Sequence, residues 1–139
     1  MGSLHHFNAK MKFGIDILAN EYDKESGILK HDTIYLNCPS HKMPFLNGFA
    51  DVVVSRNALD HVDDFETTVN EIYRVLKSGG EIILSINLRL VPASTEPQVL
   101  TMGKIKKAFF NKFNYKIIKK LIATKERPFE RIVVKGNKR

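Results

Sequence analysis

The chain has 139 residues, 43% of them hydrophobic, which suits one domain with a packed core and leaves little room for a second. It contains no apolar run of the roughly 18 residues needed to span a bilayer and no secretory signal pattern, so we expect a cytoplasmic protein without membrane contact. Cys38 is the only cysteine, which excludes an internal disulfide and a cysteine-based zinc cluster. We expect Cys38 to be a small packed residue.

The net charge of +7 is unevenly distributed, because residues 1–95 carry a net −3 and residues 96–139 a net +10. The lysines of the basic half are interleaved with apolar residues such as Ile105, Phe109 and Ile117. This pattern is typical of elements with one solvated face and one buried face, which is the interpretation we favour. Contact with nucleic acid is the alternative, because a basic surface attracts phosphates.

The first third of the chain predicts two short strands. Residues 1–10 show little periodicity, and we interpret them as a disordered or cloning-derived terminus in front of a domain over residues 11–139. A strand then runs from about residue 12 into Asp16, followed by a weak helical pattern over residues 19–29. A second strand is predicted over residues 33–37.

The middle of the sequence is its most regular part. Val52-Val53-Val54 is an apolar β-branched run, typical of a strand covered on both faces, and the polar Ser55-Arg56-Asn57 ends it abruptly. Asp63-Asp64 can supply the cap and first-turn carboxylates of a helix whose apolar residues recur at helical spacing over residues 65–76. Another buried strand follows over residues 81–88. Because parallel sheets bind ligands at the carboxyl ends of their strands, we expect a site directly after residue 54.

The remaining elements predict how the sheet is closed. Residues 89–99 contain two prolines and are predicted to be an irregular loop. Thr101 can cap a helix over residues 102–111. Two strands over residues 115–123 and 130–135 are close enough along the chain to form an antiparallel hairpin. The order of elements therefore predicts an α/β fold, with a mostly parallel sheet closed by a late antiparallel pair.

Three segments carry a family resemblance. They are Phe49-Ala50-Asp51-Val52-Val53-Val54-Ser55-Arg56-Asn57, the following Ala58-Leu59-Asp60-His61-Val62, and Arg74-Val75-Leu76-Lys77-Ser78-Gly79-Gly80. Together they resemble the second half of the class I, Rossmann-like methyltransferases that use S-adenosylmethionine. The resemblance implies a Rossmann-like sandwich with strand order 3-2-1-4-5-7-6, S-adenosyl-L-methionine as cofactor and a small-molecule methyl acceptor.

The resemblance also implies residues that bind the nucleoside part of the cofactor. Gly14-Ile15-Asp16-Ile17-Leu18-Ala19-Asn20-Glu21-Tyr22 resembles a family segment whose acidic residue accepts the ribose hydroxyls, which here is Asp16 with Ile17 beside it. The alternative role for Asp16 is to cap a turn between strand and helix. The adenine motif is matched only by Met43-Pro44-Phe45, since Pro39 and His41 replace the expected acids, and Ser40 is the candidate there.

The transferring methyl group and the acceptor are implied to lie after residue 54. In the resemblance, Ser55 and Asn57 bracket the methionine part of the cofactor, and His61 lies on the acceptor side as the candidate catalytic residue. A neutral imidazole there can take a proton from an acceptor hydroxyl or amine. The alternative, which we favour on the residues alone, is that His61 bonds to nearby backbone at a helix start. We interpret Asp60 and the Asp63-Asp64 pair as solvated caps rather than metal ligands, and we predict no metal site.

The sequence lacks one part of the family pattern. Class I methyltransferases have a glycine-rich "E/D-x-G-x-G-x-G" loop after their first strand, and the 139 residues contain no such segment. The first strand and its helix are missing, so the chain is a fragment, a degenerate relative or one half of a pair. A non-catalytic binding or assembly module is therefore the alternative to an active enzyme. We expect either that residues 9–18 occupy part of the central strand position or that a second copy or completing partner chain covers the gap.

Overall fold

The computed structural model describes residues 7–21, 32–89, 91 and 97–139. The predicted terminus over residues 1–10 and the predicted helix over residues 19–29 lie largely outside these ranges. The chain forms two compact units, Met1–Pro44 and Phe45–Arg139, each of which is considered by itself.

The first unit contains two short parallel strands. β1 (Phe13–Ile15) pairs with β2 (Ile34–Leu36), and Gly14 lies opposite Tyr35. A Cβ atom at Gly14 would approach the Tyr35 ring to 2.5 Å, so the missing side chain lets the tyrosine lie over β1. The backbone N–H of Asp16 donates to the carbonyl of Leu36 over 3.2 Å, which continues the pairing to the carboxyl end of β1.

The second unit contains a four-stranded sheet in the order β3-β4-β6-β5. Its strands are β3 (Ala50–Arg56), β4 (Leu76–Leu88), β5 (Phe113–Leu121) and β6 (Glu130–Lys138). β3 and β4 are parallel, whereas β6 is antiparallel to both β4 and β5. The predicted parallel pairing closed by an antiparallel hairpin is therefore confirmed.

Two helices connect these strands, and both begin at the predicted caps. In α1 (Phe65–Val75), the side chain of Asp64 accepts a hydrogen bond from the backbone N–H of Thr67 over 3.0 Å. In α2 (Met102–Phe109), the hydroxyl of Thr101 accepts from the backbone N–H of Lys104 over 3.2 Å. Neither helix is long and apolar enough to cross a bilayer, and this holds for every helix in the described ranges.

The core of the second unit lies on one face of the sheet. Ile82, Leu84 and Ile86 of β4 alternate along that face and are at most 1% exposed. Ile132 and Val134 of β6 are fully buried and lie opposite Ile86 and Leu84 in the register. The apolar stripe of α1 is buried as predicted, at Phe65, Val69, Ile72 and Val75.

β3 departs from its predicted burial. Val52 is 44% exposed and Val53 and Val54 are half-buried, so the prediction of a strand covered on both faces is wrong for these residues. The physical reason is that, among the described strands, β3 is hydrogen-bonded only to β4 and forms one edge of its sheet. An apolar run in the sequence indicates a strand that can be buried. Whether the strand is buried depends on the strands and helices beside it.

The strand pairing also corrects one version of the central-strand prediction. Residues 13–15 pair with β2 in a separate sheet, so the segment 9–18 does not take a position beside β3. Within the second unit, the order β3-β4-β6-β5 corresponds to the 4-5-7-6 part of the strand order implied by the resemblance.

The basic half of the chain behaves differently in α2 and in β5. In α2, Lys106 and Lys107 are exposed while Ile105 and Phe109 are buried, which is the predicted division into two faces. In β5, residues 116–120 are exposed throughout, including Ile117 at 42% and Ile118 at 51%. The prediction of a buried face is wrong there, because β5 is the other edge strand of the sheet.

Candidate functional site

The loop after β3 begins at Asn57, which leaves a polar atom buried at the carboxyl end of the strand. Its backbone N–H donates to the carbonyl of Ser85 over 2.9 Å, and its φ of 55° lies in the left-handed region, which asparagine tolerates better than most residues. The side-chain Oδ1 of Asn57 is buried, and no group in the described part of the chain donates a hydrogen bond to it. A buried acceptor of this kind is costly without a partner, so it indicates a ligand donor.

Asp60 is buried rather than solvated. Its exposed fraction is 1%, which contradicts the interpretation of a solvated cap. The Nδ2 group of Asn87 donates to Asp60 Oδ2 over 3.0 Å, and Asn87 Oδ1 accepts from Arg131 Nε over 2.8 Å. Asp60 Oδ1 receives no hydrogen bond from a described residue. The carboxylate is thus linked to a guanidinium through one amide while its second oxygen remains available.

His61 lies beside this carboxylate. Its Nε2 atom is 3.8 Å from Asp60 Oδ1, and 41% of its side chain is exposed. The backbone N–H of His61 donates to the carbonyl of Ala58 over 3.2 Å. The main chain of His61, rather than its imidazole, therefore makes this local backbone hydrogen bond. The residue does not start a helix, since α1 begins at Phe65. The imidazole therefore has a solvent-accessible side and a side near a buried carboxylate.

Gln98 connects a second segment of the chain to this loop by hydrogen bonds. Its backbone N–H donates to the Asp60 carbonyl over 3.2 Å, and its Nε2 donates to the Asp63 carbonyl over 2.8 Å. Its Oε1 accepts from Lys104 Nζ of α2 over 2.9 Å. These bonds tie residues 60–63 to Gln98 and, through it, to α2.

A hollow of about 470 Å³ lies at the carboxyl end of β4. The guanidinium of Arg89 lies 4.3 Å from the centroid of the Phe129 ring, a cation–π arrangement at its wall. The walls are mostly apolar and consist of Leu88, Arg89, Val91, Leu100, Thr101, Met102, Ala123, Pro128, Phe129 and Glu130. A second hollow of about 530 Å³, lined among others by Asn137, lies at the other end of the sheet, where Asn137 pairs with Glu81.

In the first unit, Asp16 follows β1 directly. Its Oδ1 accepts from the backbone N–H of Leu18 over 2.9 Å, so the turn-capping alternative is present. Oδ2 receives no hydrogen bond from a described residue, and the carboxylate is only half-buried. The neighbouring Ile17 is 56% exposed. The end of β1 thus presents a carboxylate oxygen and an apolar side chain.

Ser40 and Cys38 follow β2 in the same unit. Both are half-buried, and the backbone N–H of Lys42 donates to the carbonyl of Pro39 over 3.0 Å to close a turn around Ser40. Burial raises the pKa of the Cys38 thiol, which disfavours the reactive thiolate. Cys38 is thus a packed thiol, although an incompletely buried one.

The sequence-predicted residues fall into two groups. Ser55, Asn57 and His61 lie on one strand end and its loop, whereas Asp16, Ile17 and Ser40 lie in the first unit at the ends of β1 and β2. Asn87 and Arg131, which pair across β4 and β6, were not predicted from the sequence as site residues. The available signal was an asparagine between Ile86 and Leu88, near the end of the predicted strand 81–88. Within the described ranges, no three His, Cys, Asp or Glu side chains are placed to hold a metal ion.

The fold and its polar strand ends define a Rossmann-like α/β domain, and comparison with known proteins identifies its family. Residues 3–84, more than half of the chain, match the model of the methyltransferase domain family. The chain therefore belongs to this family. An uncharacterized methyltransferase of Mycobacterium sp. (strain JLS) is 34% identical over 67 residues, which cover 48% of the chain and 27% of that protein. The chain thus spans about a quarter of this relative's length.

Two solved structures show the same fold. The YcgJ protein of Bacillus subtilis matches with a TM-score of 0.72 at 15% identity, over 93% of this chain and 82% of that one. The 1,6-didemethyltoxoflavin-N1-methyltransferase of Burkholderia thailandensis, solved with 1,6-didemethyltoxoflavin and S-adenosylhomocysteine, matches with a TM-score of 0.67 at 13% identity. That match covers 91% of this chain and 60% of the other. At these identities the matches establish the Rossmann-like methyltransferase fold.

Proposed function

We propose that this chain is an S-adenosylmethionine-dependent methyltransferase domain that acts on a small-molecule acceptor. The observation that carries the proposal is the buried, unpartnered Oδ1 atom of Asn57 at the carboxyl end of β3. Parallel sheets bind ligands at this edge, and a buried acceptor without a protein donor is suited to a ligand that brings one. Membership of the methyltransferase domain family supports this interpretation.

The residues present fit the cofactor in part. The first unit offers Asp16, whose Oδ2 can accept ribose hydroxyls, the exposed Ile17 for an apolar contact with adenine, and Ser40 for its polar edge. The second unit offers Asn57 Oδ1 for the ammonium of the methionine part, with Ser55 on the same strand end. When bound, the cofactor supplies a methyl group on a sulfonium.

His61 and the hollow beside β4 suit the acceptor. Methyl transfer requires mainly alignment of the nucleophile and exclusion of water, and the protein's chemical contribution is limited to accepting a proton. His61 is exposed enough to reach an acceptor hydroxyl or amine. The mostly apolar hollow of about 470 Å³ has the size of a small-molecule site, with Arg89 and Glu130 as its charged groups, and His61 is not among the residues that line it.

A binding experiment with Asn57 tests this function. Calorimetric titration of the chain with S-adenosylhomocysteine should show binding, and Asn57→Gly should weaken it by about 1.5 kcal/mol because one hydrogen bond to a charged group is lost. Glycine keeps the left-handed backbone of Asn57 without strain. Asn111, with a φ of 60°, provides the matched control, since Asn111→Gly makes the same change after α2 and should leave binding unchanged.

The second candidate function is a non-catalytic binding or assembly module. It is favoured by the engagement of Asp16 Oδ1 in its own turn. No binding of S-adenosylhomocysteine or S-adenosylmethionine at millimolar ligand would favour this module over the enzyme.

We also propose that a second copy of the chain covers the open edge of β3. Unpaired N–H and C=O groups on an apolar edge strand cost roughly 1–3 kcal/mol each when water is excluded, and an antiparallel pairing of two such edges satisfies them. Light scattering should therefore show dimers forming as the concentration rises into the high micromolar range. Hydrogen exchange at the amides of residues 51–54 should slow in parallel.

The amides of Ile82–Ile86 serve as an internal reference for exchange, because β4 has hydrogen-bonded neighbours on both sides and should exchange slowly at every concentration. A strictly monomeric species at high micromolar concentration excludes the dimer. Fast exchange of residues 51–54 at all concentrations would show that nothing covers this edge.

A further inference from the structure

Both described helices of the second unit pack against the same face of its sheet. Phe113, the first residue of β5, contacts Phe109 of α2 and Tyr73 of α1 at 5.4 and 5.8 Å between ring centroids. Because successive side chains of a strand point to opposite faces, Lys116 lies on the other face, which we call the outer face. Lys135 of β6 is its partner in the register and shares that face.

The outer face carries a cluster of lysines. Lys119 lies opposite Val133, two residues along β6 from Lys135, so it shares the face with Lys116 and Lys135. We call these residues, Lys116, Lys119 and Lys135, the lysine cluster. Like charges directly opposite each other on paired strands repel, as Lys116 and Lys135 do here. An anion bound between their ammonium groups replaces this repulsion with attraction.

Nearby carboxylates neutralise the lysine cluster only in part. β5 contains no acidic residue. Glu81 of β4 lies 3.0 Å from Lys135 Nζ, and Glu130 of β6 is paired with Lys120 over 3.0 Å. Lys116 and Lys119 are exposed and have no ion-pair partner in the described part of the chain. Their charges are therefore available to a ligand.

The hollow of about 530 Å³ described above adds other groups to this surface. Its walls include Lys116 and Lys135 together with Asn114, Ile118 and Asn137. Ile118 is 51% exposed. Asn114 Oδ1 accepts from Arg139 Nε over 2.8 Å, so the amide turns its NH₂ group outward as a donor. The hollow thus combines cations, an amide donor and an aliphatic side chain.

We propose that the lysine cluster and this hollow bind the sugar–phosphate backbone of a single-stranded nucleic acid. The phosphates supply the anions, and Ile118 offers an apolar contact to a base or sugar. An extended strand can follow β5 from Lys116 to Lys119, a span of about 10 Å. Because the contacts are to phosphates, binding should depend little on sequence. The hollow lies at the other end of the sheet from Asn57, so this surface is separate from the site proposed for the cofactor.

Fluorescence anisotropy with a fluorescein-labelled oligouridylate of about 20 nucleotides tests this proposal. The wild-type chain should bind it, with an affinity that falls between about 50 and 200 mM salt. Each phosphate contact to a single strand contributes about 0.7 to the slope of log affinity against log salt. Combining Lys116→Gln with Lys119→Gln should therefore reduce the slope by about 1.4 and weaken binding roughly 25-fold at about 0.1 M salt.

Lys106→Gln combined with Lys107→Gln is the matched control. It changes the net charge equally, but both residues are exposed on α2, which packs against the opposite face of the sheet. Its affinity should stay within about twofold of the wild-type value. Equal losses in the two double variants would show attraction to the net charge alone and overturn the proposal.

Two other results would also overturn it. One is a wild-type chain that does not bind the oligouridylate, or binds it with an affinity that ignores salt. The other is binding to vesicles that contain phosphatidylserine without binding to the oligouridylate, which would assign the surface to a membrane. Titration with S-adenosylhomocysteine should give the same result for the wild type and for Lys116→Gln with Lys119→Gln. Failure of the methyltransferase proposal would therefore be seen separately.

Discussion

Replacing Phe109 with alanine should lower the free energy of unfolding by about 3–5 kcal/mol. Phe109 ends α2 and is 1% exposed. Its ring packs edge-on against Phe113 at 5.4 Å and Tyr115 at 5.2 Å between ring centroids, which joins the helix to the first residues of β5. Truncation removes these contacts and leaves a cavity that a sheet and a helix end cannot fill by relaxing. Urea unfolding followed by circular dichroism measures the loss.

The neighbouring Phe110 is the control. It is 71% exposed, so Phe110→Ala should change the free energy of unfolding by no more than about 0.5 kcal/mol. Similar losses for the two variants would contradict the packing of α2 described above. Comparing the two variants therefore distinguishes the stability that comes from burying the Phe109 ring from the general effect of removing an aromatic side chain at the end of a helix.

The contrast between these two residues shows what the sequence could predict. Local rules placed both helix starts correctly, because a cap acts within three residues of itself. The C-terminal hairpin was predictable for the same reason, since its strands are close along the chain. Phe109 lies one helical turn after the buried Ile105 and continues its face, whereas Phe110 is the C-cap residue and is exposed.

Burial of the edge strands was not predictable from local pattern. Val52 in β3 and Ile118 in β5 belong to apolar runs that would be buried in the middle of a sheet. Both strands have a partner on one side only, and this depends on the arrangement of all strands rather than on any one of them. The sequence therefore predicted the strands but not their surroundings.

The candidate site also has one part that the sequence predicts and one part that it does not. Asn57 and His61 could be proposed as site residues from one rule, that ligands bind at the carboxyl ends of parallel strands. The surroundings of Asp60 follow from the register of β4 against β6, which brings Arg131 to Asn87 from 44 residues away. No spacing within the sequence predicts that Asn87 and Arg131 are paired. A buried carboxylate was consequently interpreted as a solvated cap.

Asp16 is the residue for which two predicted roles remain, and its substitution should have the largest effect on cofactor binding. Its carboxylate caps the turn to Leu18 through Oδ1, while Oδ2 is available for a ligand. If it accepts ribose hydroxyls, Asp16→Ala should weaken binding of S-adenosylmethionine by about 1–3 kcal/mol, or roughly 5- to 150-fold, since charge-assisted hydrogen bonds are lost. Isothermal titration calorimetry measures this change directly.

Two further variants separate the ribose role from the turn-capping role. Asp16→Asn keeps an acceptor for the Leu18 N–H but loses the charge, so it should bind the cofactor nearly as weakly as Asp16→Ala while keeping more stability. Asp64→Ala removes a comparable cap from α1 and should lower stability by about 1 kcal/mol without weakening binding. Wild-type affinity in Asp16→Asn would assign Asp16 to the turn alone. Binding would then depend on the groups at the end of β3, where Asn57 provides the buried acceptor.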